Sequence, residues 1–150
     1  MVATIIAKEN PSNVMDLCSG QGVFLTTAIL TDAAHDCYGI EINRAYALIS
    51  KIKLLILGVD PDCIKTGDIF DSKFDFNSPE KYDAVFCHMP MNMPIDIDKI
   101  VKAGLLDEFR AQRINKREPE WAFIKAMMAM INKQRHGMGV AWVRNSLLFS

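Results

Sequence analysis

Apolar residues along this chain fall into two kinds of stretch: short uninterrupted runs bounded by turn residues, and longer segments in which they recur at helical spacing. The short runs read as strands buried on both faces and the longer ones as helices. Met1 to Lys8 fits a short helix or a strand, and the turn-rich Glu9 to Asn13 breaks it. Val14 to Leu17 is the first buried strand, and Gly22 to Thr31 follows as a helix. Asp36 to Glu41 is a second strand ending in an acid. Asn43 can cap the next helix, where Ala45, Leu48, Ile49, Ile52, Leu55 and Ile56 keep a helical period up to Gly58 as a stop. This strand-helix-strand-helix run predicts an α/β fold with a parallel sheet and right-handed crossovers.

Asp62 to Lys65 is a weak third strand, and Tyr82 to Cys87 is the clearest strand in the chain. Asp71 to Glu80 between them is polar and loop-like. From Asn92 to Pro119 no single period holds, although Ile100 to Phe109 reads as a helix and Arg110 to Glu120 as a charged connector. A loop spanning about residues 88–118 is long for a compact domain, and such loops tend to be functional or disordered. Pro119 sits in the favoured first turn of a helix from Trp121 to about Lys133. Arg135-His136-Gly137 then turns the chain into a last strand, Met138 to Val143.

The chemistry gathers at the ends of the strands. In Asn13 to Leu25, an apolar run closes on Asp16 and passes through a small-residue loop into a helix. Gly20 and Gly22 can take backbone angles closed to other residues and let a ligand approach the main chain. Ligands of open α/β sheets bind beyond the carboxyl ends of the strands, so Asp16 and its loop should line that crevice. The positive end of the following helix points there too. A lone G-x-G says little, but its place between a strand and a helix says more.

Composition narrows the picture without redirecting it. A chain of 150 residues, half of them hydrophobic and 23% charged, is one folded domain rather than a disordered segment. A net charge of −1 supplies no global attraction to nucleic acid. Cys18, Cys37, Cys63 and Cys87 form no C-x-x-C pair, and with three histidines they make no zinc pattern, so no metal is expected. Reduced thiols, no bilayer-length apolar run and no signal-peptide layout predict a cytoplasmic protein without membrane contact. The cluster Met127, Met128 and Met130 reads as core filling.

In their order the motifs resemble those of class I S-adenosylmethionine-dependent methyltransferases, most closely the M subunits of type I restriction-modification systems, which methylate adenine N6 in DNA. The resemblance runs from Val14 to Phe149. The family's D-P-x-x-G-x-G-x-F-L is matched by Asp16, Gly20, Gly22, Phe24 and Leu25, with Leu17 in place of the proline. Glu41 in Y-G-I-E-I-N matches the acid after the second strand, and Gly67-Asp68 matches the G-D of the third. P-E-W-A-F-I-K and W-V-R-N-S-L-L-F look like the family's last helix and strand segments.

The resemblance implies a Rossmann-like sheet of order 3-2-1-4-5, truncated after the fifth strand of a full seven-stranded sheet, with S-adenosylmethionine as cofactor. Glu41 is expected to accept from the ribose hydroxyls and Asp68 from the adenine amine, with Phe70 or Ile42 against the adenine ring and Ile69 also among the cofactor-binding residues. After the fourth strand the family carries N-P-P-Y or N-P-P-F, whose amide and carbonyl orient the target amine while the ring stacks on the extruded base. Here His88-Met89-Pro90-Met91 stands in its place. A neutral histidine can accept one hydrogen bond, but a thioether does not replace a stacking ring.

Transfer to DNA adenine is therefore expected to be residual or lost. A catalytically dead structural or cofactor-sensing subunit, a methyltransferase acting on protein or RNA, and a plain nucleotide-binding domain are the other readings. DNA, through missing or partner domains, and specificity and restriction subunits are the partners implied. An edge at the fifth strand predicts self-association there, or pairing with the tail Asn145 to Ser150.

Overall fold

The computed structural model describes residues 1–71, 81–90, 96–105 and 120–143. Five strands, β1 (Asn13–Asp16), β2 (Asp36–Glu41), β3 (Ile64–Thr66), β4 (Ala84–His88) and β5 (Met138–Trp142), form one sheet in the order 3-2-1-4-5. Every pairing is parallel, and Val14 of the central strand faces Cys37 on one side and Ala84 on the other. The expected fold class and strand order are both present.

Helices cover the two faces. Val14, Cys37, Ile64, Ala84 and Phe86 pack under α1 (Val2–Ala7), α2 (Val23–Leu30) and α3 (Arg44–Ile56), through Ile6, Phe24, Leu25, Ala28, Ala47 and Leu54. Met15, Ile40, Val85 and Cys87 meet α4 (Ile97–Lys102) and α5 (Glu120–Met130) through Ile100, Ala122, Phe123, Ala126, Met127 and Met130. Phe123 is 1% exposed, and burying a ring of that size contributes about 1.5–3 kcal/mol. Met127 and Met130 are core residues as expected, whereas Met128 is exposed.

Local chemistry sets the boundaries. The Asn43 side chain accepts from the Ala45 and Tyr46 amides at 2.9 and 3.3 Å and so starts α3. Gly58, at φ 77°, ends it: its N–H donates to the Leu55 carbonyl and that of Val59 to Leu54, a Schellman closure. The third strand begins later than expected. Asp60 accepts from the Asp62 amide at 2.9 Å and Pro61 opens a 3₁₀ turn (Pro61–Cys63), which leaves only Ile64–Thr66 extended. The last helix ends at Met130 rather than near Lys133, because Ile131 bridges to Tyr82 and Asn132 caps a second 3₁₀ turn, Lys133–Arg135. The segment at Met1 to Lys8 is helical, and α4 ends at Lys102, with residues 106–109 outside the described ones.

The buried side of α3 is not the one its apolar period marks. The periodic residues of α3 do form a helix, but Leu48, Ile49, Ile52, Leu55 and Ile56 are exposed, and the face on the sheet is Ala47, Ser50 and Leu54. The cause is close approach. A Cβ on Gly22 would run into the Ser50 side chain, so α3 can sit this near the first loop only with small residues underneath.

At the far edge, β5 has β4 as its one neighbour among the described residues, and the tail Asn145 to Ser150 lies outside them. All four cysteines are free thiols. Among the described residues no helix is long and apolar enough to cross a membrane.

Candidate functional site

The carboxyl ends of β1, β2 and β4 and the turn after β3 open on one crevice, as the topology of an open parallel sheet requires. Its floor is set by the first loop. The Asp16 carboxylate accepts from the Cys18 amide at 3.2 Å, the Ser19 amide donates to the Ile40 carbonyl at 2.9 Å, and Gly22 closes the turn onto the Ser19 carbonyl at 2.8 Å. Gly20 and Gly22 hold φ of 53° and 75°, the left-handed region that a side chain resists. Nothing lies within 4 Å of where a Gly20 Cβ would be, so the backbone there faces open space.

Glu41 ties this loop to the second strand. One carboxylate oxygen accepts from the Gly20 amide and the other from the Asn43 amide, both at 2.7 Å. The group is 8% exposed, and each oxygen keeps a further acceptor position. A cavity of about 260 Å³ lies in front of it, and Gly20, Glu41, Ile42, Asp68, Ile69, His88 and Pro90 all line its wall. Ile42, which is exposed, and Ile69, which is buried, add apolar surface to the same wall.

Asp68 brings a partner that the sequence did not announce. One oxygen accepts from the Phe70 amide at 3.0 Å and the other from the Lys99 ammonium at 2.9 Å. That hydrogen bond holds the Lys99 pKa above its ordinary value. Lys99 stands on α4, in a segment with no clear period, and only the fold places it against the third-strand turn. Tyr46, also on the cavity wall, had a faint signal: it is the third residue after the Asn43 cap, where a helical side chain leans back over the preceding turn.

Asp16, Phe24 and His88 line a second cavity of about 420 Å³, with Ser19 and Gln21, on the α1 and α2 side. Asp16 is 2% exposed, and burial, with the charge of Glu41 added, pushes its pKa up to about 7 against the lowering effect of the Cys18 amide. Phe24 packs on Phe86 with ring centres 4.4 Å apart, so it belongs to the core beneath the loop as much as to the cavity. Gly22 likewise meets α3, and neither it nor Phe24 is on the wall of the Glu41 cavity.

At the end of β4 the four motif residues part company. His88 is exposed and lines both cavities, Pro90 lines the first, and Met89 is buried in the core with Ile100 and Phe123. Met91 lies outside the described residues. The His88 ring sits edge-on to Trp142, centres 6.0 Å apart, because the two residues are register partners of β4 and β5. Beside them the Cys18 and Cys87 thiols share a hydrogen bond with the sulfurs 3.8 Å apart, and this bond together with burial holds the Cys18 pKa far above the usual thiol range. Among the described residues no cluster of side chains could hold a metal ion.

A methyltransferase subunit of a type I restriction-modification system from Streptococcus thermophilus superposes with a TM-score of 0.72 at 17% identity, over 93% of this chain and 32% of that one. A sugar N-methyltransferase from Streptoalloteichus gives 0.58 at 18% identity, covering 97% and 47% of the two chains. An S-adenosylmethionine-bound amino pentose methyltransferase from Micromonospora echinaspora gives 0.53 at 21%, covering 87% and 44%. The chain thus spans between a third and a half of these structures, which share its fold. No curated protein matches it in sequence. The N-6 DNA methylase family matches residues 1–150, the whole length that carries the glycine loop, Glu41, Asp68 and the altered tetrapeptide, and the chain belongs to that family.

Proposed function

We propose that this chain is the S-adenosylmethionine-binding core of a type I restriction-modification M-like protein, with adenine N6 in DNA as the ancestral methyl acceptor. The observation that carries the reading is the convergence of Gly20, Glu41, Ile42, Asp68 and Ile69 on one cavity that His88 and Pro90 also line. The residues suit the cofactor. The spare acceptor positions of Glu41 match a ribose diol, Asp68 can accept from an exocyclic amine, and the apolar surface of Ile42 and Ile69 suits a flat ring. Asp16 and the buried Ser19 hydroxyl, which has no partner among the described residues, are left for the polar end of the ligand.

The bound cofactor supplies an electrophilic methyl group, and the chain's task is to aim a nitrogen lone pair at it. His88 stands where the family has asparagine and can accept one N–H through a ring nitrogen, half of what an amide with its neighbouring carbonyl provides. The buried Met89 takes the place of a proline at the centre of the family motif. Trp142, half exposed beside His88, offers an aromatic surface for a base. This arrangement supports cofactor binding with weak or absent transfer; on this reading the chain serves as a cytoplasmic subunit alongside DNA-reading and restriction partners.

Calorimetric titration with S-adenosylhomocysteine tests the reading. Saturable one-to-one binding, with NAD and ATP showing none, is the expected result. Preference for NAD or ATP would replace it with a general nucleotide-binding role.

A further inference from the structure

Helix α3 turns its apolar side away from the protein. Leu48, Ile49, Ile52, Leu55 and Ile56 are between 37% and 78% exposed, while the residues on the sheet are Ala47, Ser50 and Leu54. Five large aliphatic side chains on one continuous stripe are more than scattered surface residues, which need no explanation. Ala45, Leu48, Ile52 and Leu55 follow one another at intervals of three, four and three, the spacing of a seam that packs knobs into holes against another helix.

The charges that α3 itself places on the flanks of the stripe are all cations. Arg44 and Lys51 each precede a seam residue by one position and so run along one side, and Lys53 lies on the other. The thirteen residues of α3 contain no acid. Lys51 reaches Asp62 at 3.6 Å and Lys53 donates to the Gln21 carbonyl at 3.0 Å, which holds these cations at the edges of the stripe.

This charge pattern selects the occupant. Two copies of α3 packed antiparallel would set the Arg44 and Lys51 side against itself. Packed parallel, they would set it against Ile49 and Ile56. The first pairing sets Arg44 against a second cation and the second sets it against an aliphatic side chain, and neither gives it an acid from the other copy of α3. We propose that the outer face of α3 is a docking seam for an amphipathic helix of a partner protein, one with apolar residues at three-four spacing and acidic residues along the flank that meets Arg44 and Lys51. This holds whatever the cofactor crevice binds.

The test uses the full chain and two labelled helical peptides of about three heptads. Both carry leucines along the seam, and one has glutamate where the other has lysine on the flanks. By fluorescence anisotropy the glutamate peptide should bind at least about tenfold tighter than its lysine twin, with a gap that narrows as salt is raised. Ile52→Gln should weaken the glutamate peptide by about tenfold or more with little change in Tm, since the side chain is half exposed. Leu30→Gln, at a more exposed apolar residue on α2, should leave binding unchanged. Arg44→Glu combined with Lys51→Glu should invert the preference. Equal binding of the two peptides, or indifference to Ile52→Gln, would overturn the proposal. So would a dimer abolished by Ile52→Gln but not by Val140→Lys, which makes the occupant a second copy. Adsorption to phosphatidylglycerol vesicles that is lost with Ile52→Gln, without a peptide preference, would overturn it in favour of a lipid surface.

Discussion

Replacing Glu41 by alanine separates the two jobs its position allows. In the free protein the carboxylate accepts from the amides of Gly20 and Asn43 at 2.7 Å each. Hydrogen bonds to a charged acceptor contribute about 1.5–3 kcal/mol apiece. The crevice is open, so water recovers part of the loss, and the net cost to folding should be about 2–4 kcal/mol. For a chain of this length that lowers Tm by roughly 4–16 °C. If the same group also takes the ribose hydroxyls, the variant loses those bonds together with the preset loop, and S-adenosylhomocysteine should bind at least about a hundredfold more weakly. Glu41→Gln keeps one good acceptor and turns an amide N–H₂ toward the other donor, so it should recover about half of the stability but little of the affinity. Differential scanning calorimetry and isothermal titration on the three proteins decide the matter. A fall in Tm with unchanged affinity would leave Glu41 a loop anchor only, and no change in either would refute the whole argument.

Four further outcomes follow from the same geometry. Asp16 has a folded pKa near 7 against an ordinary 3.8, so between those values the unfolded chain releases a proton that the folded chain keeps. Stability should therefore fall as pH rises from about 4 to 7 and level off above, by as much as about 4 kcal/mol, and urea unfolding of Asp16→Asn should lack this component. Gly22→Ala should destabilise by about 2–4 kcal/mol through its positive φ and the Ser50 contact, with partial recovery in the Ser50→Gly background, measured by thermal melts. Labelled-methyl assays on adenine-containing DNA should show no transfer by the chain alone, and His88→Asn with Met89→Pro and Met91→Tyr should restore it only when DNA-binding parts are supplied; robust transfer by the unmodified chain would refute the role given to His88. Sedimentation should reveal self-association through the edge of β5 that Val140→Lys abolishes, and a monomer at every concentration would count against it.

The sequence made the sheet legible because parallel strands buried on both faces are short, apolar and turn-bounded, and because β1 and β2 each end in an acid. Its glycine loop and Glu41 could be placed for the same reason. Three things escaped it. The apolar period of α3 identified a helix but not which side its own fold would cover, since small residues at Ala47 and Ser50 carry no hydrophobic signal and yet form the buried face. The third strand lost its first residues to the Asp60 cap, a local hydrogen bond competing with extended backbone. Lys99 meets Asp68 from 31 residues away, a contact that no local pattern encodes.

The central strand also governs the order in which the protein can assemble. Val14 pairs with Cys37 and with Ala84, so one side of β1 can be closed while the chain is still short, and the other must wait for Ala84, seventy residues beyond Val14. A growing polypeptide would hold β3, β2 and β1 as a half-sheet with a naked inner margin until β4 leaves the ribosome. Pairing at such sequence separation is slow, because the loop has to close before any contact rewards it. The interval before Ala84 arrives is when a nascent chain of this kind is most open to capture by a chaperone or by a neighbouring strand.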